Sequence, residues 1–249
     1  MPLKKGDFTL INLTTKIKES NETIETTVEQ VAKETNIHHS DHTYEPEFIV
    51  VGEGWVPKGL DEALANLEAD KETTIEVPPD KGYGERDPSK MRLIPMRRFR
   101  DQQVQLVPGA QVEIDGRSAL VRSVGAGRVQ VDFNHPLAGR TLLYTVKLEK
   151  TLESNEEKVK ALVHRRLPMV SQDKLRISLS QDDCSVELPE EAFFIEGLQI
   201  AKRAISTDLQ KFMPDLVKVT FIESFQKAKA ASEEIPKEAA PSADTSTNP

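Results

Sequence analysis

VGEGWVPKGLDEAL, from Val51 to Leu64, decides the reading of this chain. Gly52 and Gly54 close an apolar run, and Trp55-Val56-Pro57 leads into a segment with Leu60, Leu64 and Leu67 at helical spacing. That spacing predicts a short amphipathic helix over Asp61–Leu67, able to cover a sheet. A second stretch, VPPDKGYGERDP (Val77 to Pro88), ends a strand, turns at Pro78-Pro79 and presents Tyr83 between Gly82 and Gly84. Neither stretch contains a nucleophile, a ligand set or a phosphate loop. Gly52 and Gly54 are turn glycines, and no third glycine completes a dinucleotide-binding pattern. The two stretches instead supply the parts of an apolar, aromatic-walled hole.

Outward from this centre the pattern is that of an α+β protein. Residues Asp7 to Lys18 alternate as a strand, and Ile24 with its flanking threonines reads as a second after a polar turn. The polar stretch Val28 to Tyr44 reads as a short helix and a loop, followed by strands at Phe48–Val51 and Glu72–Val77. After Pro88 the composition shifts. Lys90, Arg92, Arg97, Arg98, Arg100, Arg117, Arg122 and Arg128 outnumber Asp101, Glu113, Asp115 and Asp132. Strands are expected there at Val104–Val107, Val112–Ile114, Ala119–Val124 and Val129–Phe133, with an Asp115-Gly116 hairpin turn. The segment NHPLAGRTLLYTVKLEK (Asn134 to Lys150) then resumes alternation, with Leu142, Tyr144, Val146 and Leu148 on one face. This reads as an insertion that leaves a sheet and returns to it.

Residues Glu153 to Lys160 read as a charged linker or helix start. Strands follow at Val159–Val163, Leu175–Leu179 and Ser185–Leu188, then a helix from Pro189 to about Met213 and a strand at Val217–Phe225. The tail from Ala228 holds too few large apolar residues to fold. The domain reading is 1–88 with 135–152, an insert at 89–134, a C-terminal α+β domain at 153–227, and the tail.

Of the 249 residues, 37% are hydrophobic and 30% charged, ample for a core. A net charge of −8 argues against general affinity for nucleic acid. No apolar run reaches the roughly 18 residues that span a bilayer. The N-terminal segment turns polar too early for a secretory signal, and the lone Cys184 excludes an internal disulfide framework. A cytoplasmic protein is expected. His38, His39, Asp41 and His42 have no second cluster to complete a closed site, so no metal is assigned, and no cofactor is implied. Ser, His and Asp residues are scattered without a nucleophile elbow.

The order and spacing of these motifs resemble the FKBP family of peptidyl-prolyl isomerases over Lys4–Arg86 and Ala138–Lys150. The insertion falls where SlyD-like and long archaeal members carry an extra domain in the flap, and the third domain is most similar to the long archaeal members. The resemblance implies an antiparallel half-barrel sheet wrapped on a short helix, with an inserted small β domain and a C-terminal α+β domain. It implies cis–trans isomerisation of Xaa-Pro bonds together with chaperone activity on unfolded, proline-containing polypeptides. It assigns Tyr83, Glu25 and Tyr144 as catalytic. Ile24, Val56, Pro57, Leu60, Leu137 and Leu142 would bind substrate. Departures stand at Thr15 for a tyrosine, Glu25 for an aspartate, Pro57 for an isoleucine, and Glu47 where an aromatic or aliphatic residue is usual. Thr15, Pro57 and Glu47 favour a second reading, a non-catalytic holdase or scaffold with a degraded pocket. The arginines of the insert leave a ribosome contact open. The strand Val217–Phe225 leaves a homodimer through the C-terminal domain open.

Overall fold

The structure is a computed structural model and describes residues 3–67, 71–100 and 104–225. The chain divides into two compact units, one ending at Arg165 and the other beginning at Arg166. The tail expected from Ala228 onward lies outside the described residues.

The first unit is organised by one long strand, β1 (Phe8–Ile17). Along one edge its second half pairs with β2 (Thr23–Thr26) and its first half with β3 (Glu47–Val50), both antiparallel. A short helix, α1 (Glu29–Glu34), lies between those two strands in sequence. Helix α2 (Lys58–Leu64) and strand β4 (Glu72–Val77) follow. The other edge of β1 pairs along its whole length with β9 (Leu142–Leu152), which also pairs with β4. The result is a five-stranded sheet in the order β2-β1-β9-β4, with β3 beside β1.

Helix α2 covers this sheet. It starts three residues earlier than the leucine spacing predicts, because Pro57 stands at its N-terminus and the Pro57 carbonyl accepts from the amides of Leu60 and Asp61. Asp61 reaches back and accepts hydrogen bonds from the backbone amides of Gly52 (2.8 Å) and Gly54 (3.0 Å), which pins the glycine turn to the helix. Leu60 and Leu64 are fully buried and Leu67 nearly so, in one core with Ile11, Leu13, Ile49, Val77, Leu142, Tyr144 and Val146. Gly59 permits the close fit: a Cβ there would meet Val77 at 2.9 Å.

Between β4 and β9 the chain builds a second sheet from β5 (Met91–Pro95), β6 (Gln111–Ile114), β7 (Arg117–Gly125) and β8 (Arg128–Asp132), in the order β5-β8-β7-β6. It has its own core, with Phe99, Val112, Val121, Val129 and Val131. The residues Val104–Val107 are not a strand. Instead Met91–Pro95 pairs with β8, as an edge strand where a terminal proline is tolerated. A polar clamp closes the stem. Asn134 accepts from the amide of Asp87 (3.0 Å) and donates to its carbonyl (2.9 Å). Asp132, 1% exposed, receives Arg86 (3.0 Å), Arg122 (3.1 Å) and Asn134 (2.9 Å). Desolvation raises the pKa of Asp132, but the hydrogen bonds from Asn134 and Arg122 and the charge of Arg86 outweigh it and hold the group below the ordinary carboxylate value.

After β9 comes α3 (Asn155–Arg166). Its apolar run Val159–Val163, read above as a strand, is helical. The missed signal is a capping box, in which the Ser154 hydroxyl accepts from the amide of Glu157 (3.2 Å) and donates to its carboxylate (3.0 Å). The contact boundary falls later than Leu152 because α3 is fastened to the first unit. Lys158 lies over Phe8, His164 pairs with Glu45 at 2.6 Å, and the Arg165 guanidinium stacks 3.7 Å from the centroid of the Trp55 ring.

The second unit pairs β10 (Arg176–Leu179) antiparallel and β12 (Lys218–Glu223) parallel to the central β11 (Asp183–Leu188). The helix expected from Pro189 is interrupted. Glu190–Phe194 forms a 3₁₀ turn, Gly197 adopts a left-handed φ of 77°, and α4 (Leu198–Phe212) begins after it. Strand β12 is an edge of this sheet. Among the described residues no helix is long and apolar enough to cross a membrane.

Candidate active site

Sheet register builds the site. Glu25 on β2 is opposite Thr15 on β1, Thr15 is opposite Tyr144 on β9, and Tyr144 is opposite Ile75 on β4. Directly opposed residues share a face, so these four form one row across the sheet. The adjoining row on that face is Ile17–Leu142–Val77. Leu60 lies in the same core as Leu142 and Tyr144, while Ile24, Val56 and Leu137 pack against it half-buried. Pro57 is half-buried at the start of α2.

Tyr83 reaches the row from a tight turn. A 3₁₀ turn over Pro79–Lys81 lets the Pro79 carbonyl accept from the amides of Gly82 (3.1 Å) and Gly84 (2.7 Å). Gly84 has φ 80° and its carbonyl accepts from the amide of Gly139 (2.8 Å), tying this turn to the segment that returns from the insert. On that segment the His135 ring lies parallel to Tyr83 with centroids 4.2 Å apart.

The two tyrosines are close enough that each shifts the other's pKa. Tyr144 is 2% exposed, and desolvation first, then Tyr83, pushes its pKa far above the ordinary tyrosine value. Tyr83 is 38% exposed; desolvation and the charge of Glu25 raise its pKa, while Tyr144 opposes them. Both hydroxyls stay protonated at neutral pH.

The floor of the site is apolar and its polar margin is acidic. Glu25 is exposed. Glu47 keeps an exposed surface, yet protein surrounds it on its other sides; that desolvation, followed by repulsion from Glu25, raises its pKa, with Arg165 opposing. Thr15 is 1% exposed and its hydroxyl has no hydrogen-bond partner among the described residues. Leaving such a group unpaired costs about 1–3 kcal/mol.

Sequence reading missed His135, Ile17, Ile75 and Val77. The last three were legible from strand alternation; the ring stack of His135 was not. The histidines near residue 40 have another use. His38 stacks on Tyr44 with centroids 5.3 Å apart and His42 meets its edge at 4.8 Å. Among the described residues no three His, Cys, Asp or Glu side chains converge as metal ligands.

The insert carries a second concavity, a groove of about 350 Å³ beside edge strand β5, lined by Arg92, Leu93, Ile94, Arg117 and Phe133 among others. The guanidinium carbons of Arg92 and Arg117 lie 5.7 and 5.1 Å from the Phe133 ring centroid. Leu93 is 60% exposed.

Comparison with known proteins agrees with this architecture. Residues 92–137 match the family model described as "FKBP26, IF domain" and residues 155–226 the one described as "FKBP26_C-terminal". A short-type peptidyl-prolyl cis-trans isomerase of Methanocaldococcus jannaschii is 34% identical over 155 residues, 62% of this chain and 98% of that protein. A probable FKBP-type 16 kDa isomerase of Pseudomonas fluorescens is 30% identical, covering 43% of this chain and 75% of its own length. The FKBP-type isomerase SlyD of Treponema pallidum is 32% identical over 126 residues, 47% of this chain and 68% of its own. The chain belongs to the FKBP-type peptidyl-prolyl cis-trans isomerases.

Proposed function

We propose that this protein isomerises Xaa-Pro bonds of unfolded polypeptides in the pocket between Tyr83 and Tyr144, and that the insert holds the client while it does so. Rotation about such a bond faces a barrier near 20 kcal/mol because amide resonance must be broken. No covalent step is needed. A dry apolar pocket favours the less polar, twisted imide, and shape holds that geometry. Ile24, Val56 and Pro57 would enclose the prolyl ring above the buried Leu60 and Leu142, with Leu137 at the flap side.

The observation that carries this reading is the convergence of two tyrosines on one site: Tyr83, presented half-exposed by its glycine turn, and Tyr144, buried on the sheet row. The Tyr83 hydroxyl, protonated at neutral pH, would donate to the client carbonyl. Glu25, whose charge bears on both tyrosines, completes the polar side of the pocket. The exposed Leu93 and half-buried Ile94 on an open strand edge suit sequence-tolerant capture of extended chains, and the tether raises the local concentration of prolines at the pocket. The buried Cys184, without a disulfide partner, suits the cytoplasm.

The test is a protease-free isomerisation assay on a proline peptide and on a protein whose refolding is limited by proline. A folded Tyr83→Ala/Tyr144→Ala variant should lose about tenfold or more on both, the scale of a lost hydrogen-bond donor and wall. Unchanged rates would put the active site elsewhere. The orphaned Thr15 hydroxyl favours a second reading, a holdase without catalysis; wild-type protein that suppresses aggregation but isomerises neither substrate would establish it.

A further inference from the structure

We infer that Glu25 and Glu47 form a cation subsite beside the prolyl pocket, so that the enzyme prefers prolines flanked by a lysine or arginine. The inference rests on the isomerase reading above and adds substrate selection to it.

Both glutamates are on the same side of β1. Glu25 is opposite Thr15 and Glu47 opposite Ile11, on the two short strands that share that edge. Between Ile11 and Thr15 the register of β1 against β9 is unbroken, its irregularity falling earlier, at Leu10/Ile11. Ile11, Leu13 and Thr15 therefore point to one face, and Glu25 and Glu47 point to it with them. Four residues of strand separate the two acids by about 13 Å. Two glutamate side chains leaning toward each other leave room for one cationic head between them. The methylenes of a lysine or arginine would then lie along the apolar surface.

Neither carboxylate makes a hydrogen bond or an ion pair among the described residues. Most surface acids of the first unit are satisfied: Glu62 by Lys81, Glu76 by Lys18, Glu149 by Lys147 and Glu157 by Lys150. Glu25 and Glu47 instead repel one another. Arg165, whose charge opposes the rise in the Glu47 pKa, stacks on the Trp55 ring and forms no ion pair with Glu47. The neighbouring Thr15 hydroxyl, buried and unpartnered, marks the same margin as built for a polar group it does not yet contain. A cation supplied by the client relieves the repulsion. An uncharged or acidic neighbour does not.

The experiment measures kcat/KM of the full chain at low salt on otherwise identical peptides with Lys-Pro, Leu-Pro, Glu-Pro and Pro-Lys. Against Leu-Pro, one lysine peptide should be favoured about threefold to fivefold and Glu-Pro disfavoured, as one partly solvated ion pair allows. The preference should reside in KM and fade in high salt. Within Glu47→Gln and Glu25→Gln the lysine-to-leucine ratio should fall toward one, and Glu47→Lys should invert it toward Glu-Pro. Because each ratio is internal to one variant, a general loss of activity does not mimic the result. Catalysis of Leu-Pro with no lysine preference, or a ratio unchanged in Glu47→Gln, overturns the subsite and leaves the isomerase standing. Failure of the wild type on every peptide overturns the isomerase reading itself.

Discussion

The proposed prolyl site and the groove of the insert both set apolar residues beside strands, yet their margins carry opposite charge. The pocket floor of Leu60, Leu142 and Tyr144 is flanked by Glu25 and Glu47, with no cation among the described residues paired to either. The groove is flanked by Arg92 and Arg117, both engaged with Phe133. Stability alone does not call for this. Two unpaired acids cost energy where they stand, whereas stacked arginines bury their stems and keep their charge in water. On the readings proposed above, the two hollows would select different parts of a client: the pocket a basic neighbour of proline, the groove an apolar stretch with acidic flanks.

Removing one hollow gives the largest expected effect. Replacing residues 91–132 by a short glycine-containing turn keeps Asp87 and Asn134, whose mutual hydrogen bonds close the stem. Catalysed refolding of a protein client should then fall by about an order of magnitude or more, as loss of tethering implies, while peptide isomerisation persists. Equal loss on both would mean that the insert shapes the pocket, and the comparison would collapse. A smaller change tests the charge alone. Arg92→Glu with Arg117→Glu should weaken binding of an acidic unfolded client by about fivefold and strengthen that of a basic one, read by fluorescence titration at two salt concentrations. Equal affinities for both clients would show that the arginines only cover Phe133.

The smallest effects separate a paired acid from an unpaired one. Asp132 has a lowered folded pKa, so its contribution is present above the unfolded value near 3.8 and lost as pH falls through the folded one. Asp132→Ala should cost about 2 kcal/mol at neutral pH, less than a fully buried pair because both guanidinia reach water. That deficit should shrink in acid. Glu47 has a raised folded pKa, so its charge disfavours folding at neutral pH, and the cost vanishes below the unfolded value near 4.5. Glu47→Gln should therefore be slightly more stable than wild type at pH 7 and equal to it below pH 4.5, by denaturant unfolding. Two acids of one unit would thus bend the stability curve in opposite directions.

The sequence by itself determined the strands that alternate, the helix whose leucines meet one core, and the turn that presents Tyr83, because each rests on a pattern only a few residues long. Local pattern also misled. Val159–Val163 is short and apolar enough for a strand, and only the Ser154–Glu157 cap shows that its backbone is helical. Met91–Pro95 was not expected as a strand, yet β8 offered it an edge. The tertiary structure alone decided which groups act together. Thr15 meets Glu25 ten residues on but Tyr144 across nearly the whole first unit, and no local period encodes that second register. It follows from burying one face of β1 and β9 against α2, since a slip of one residue would turn every core side chain to water. The meeting of Tyr83 with Tyr144 and the unpaired acids beside them are consequences of that long-range burial.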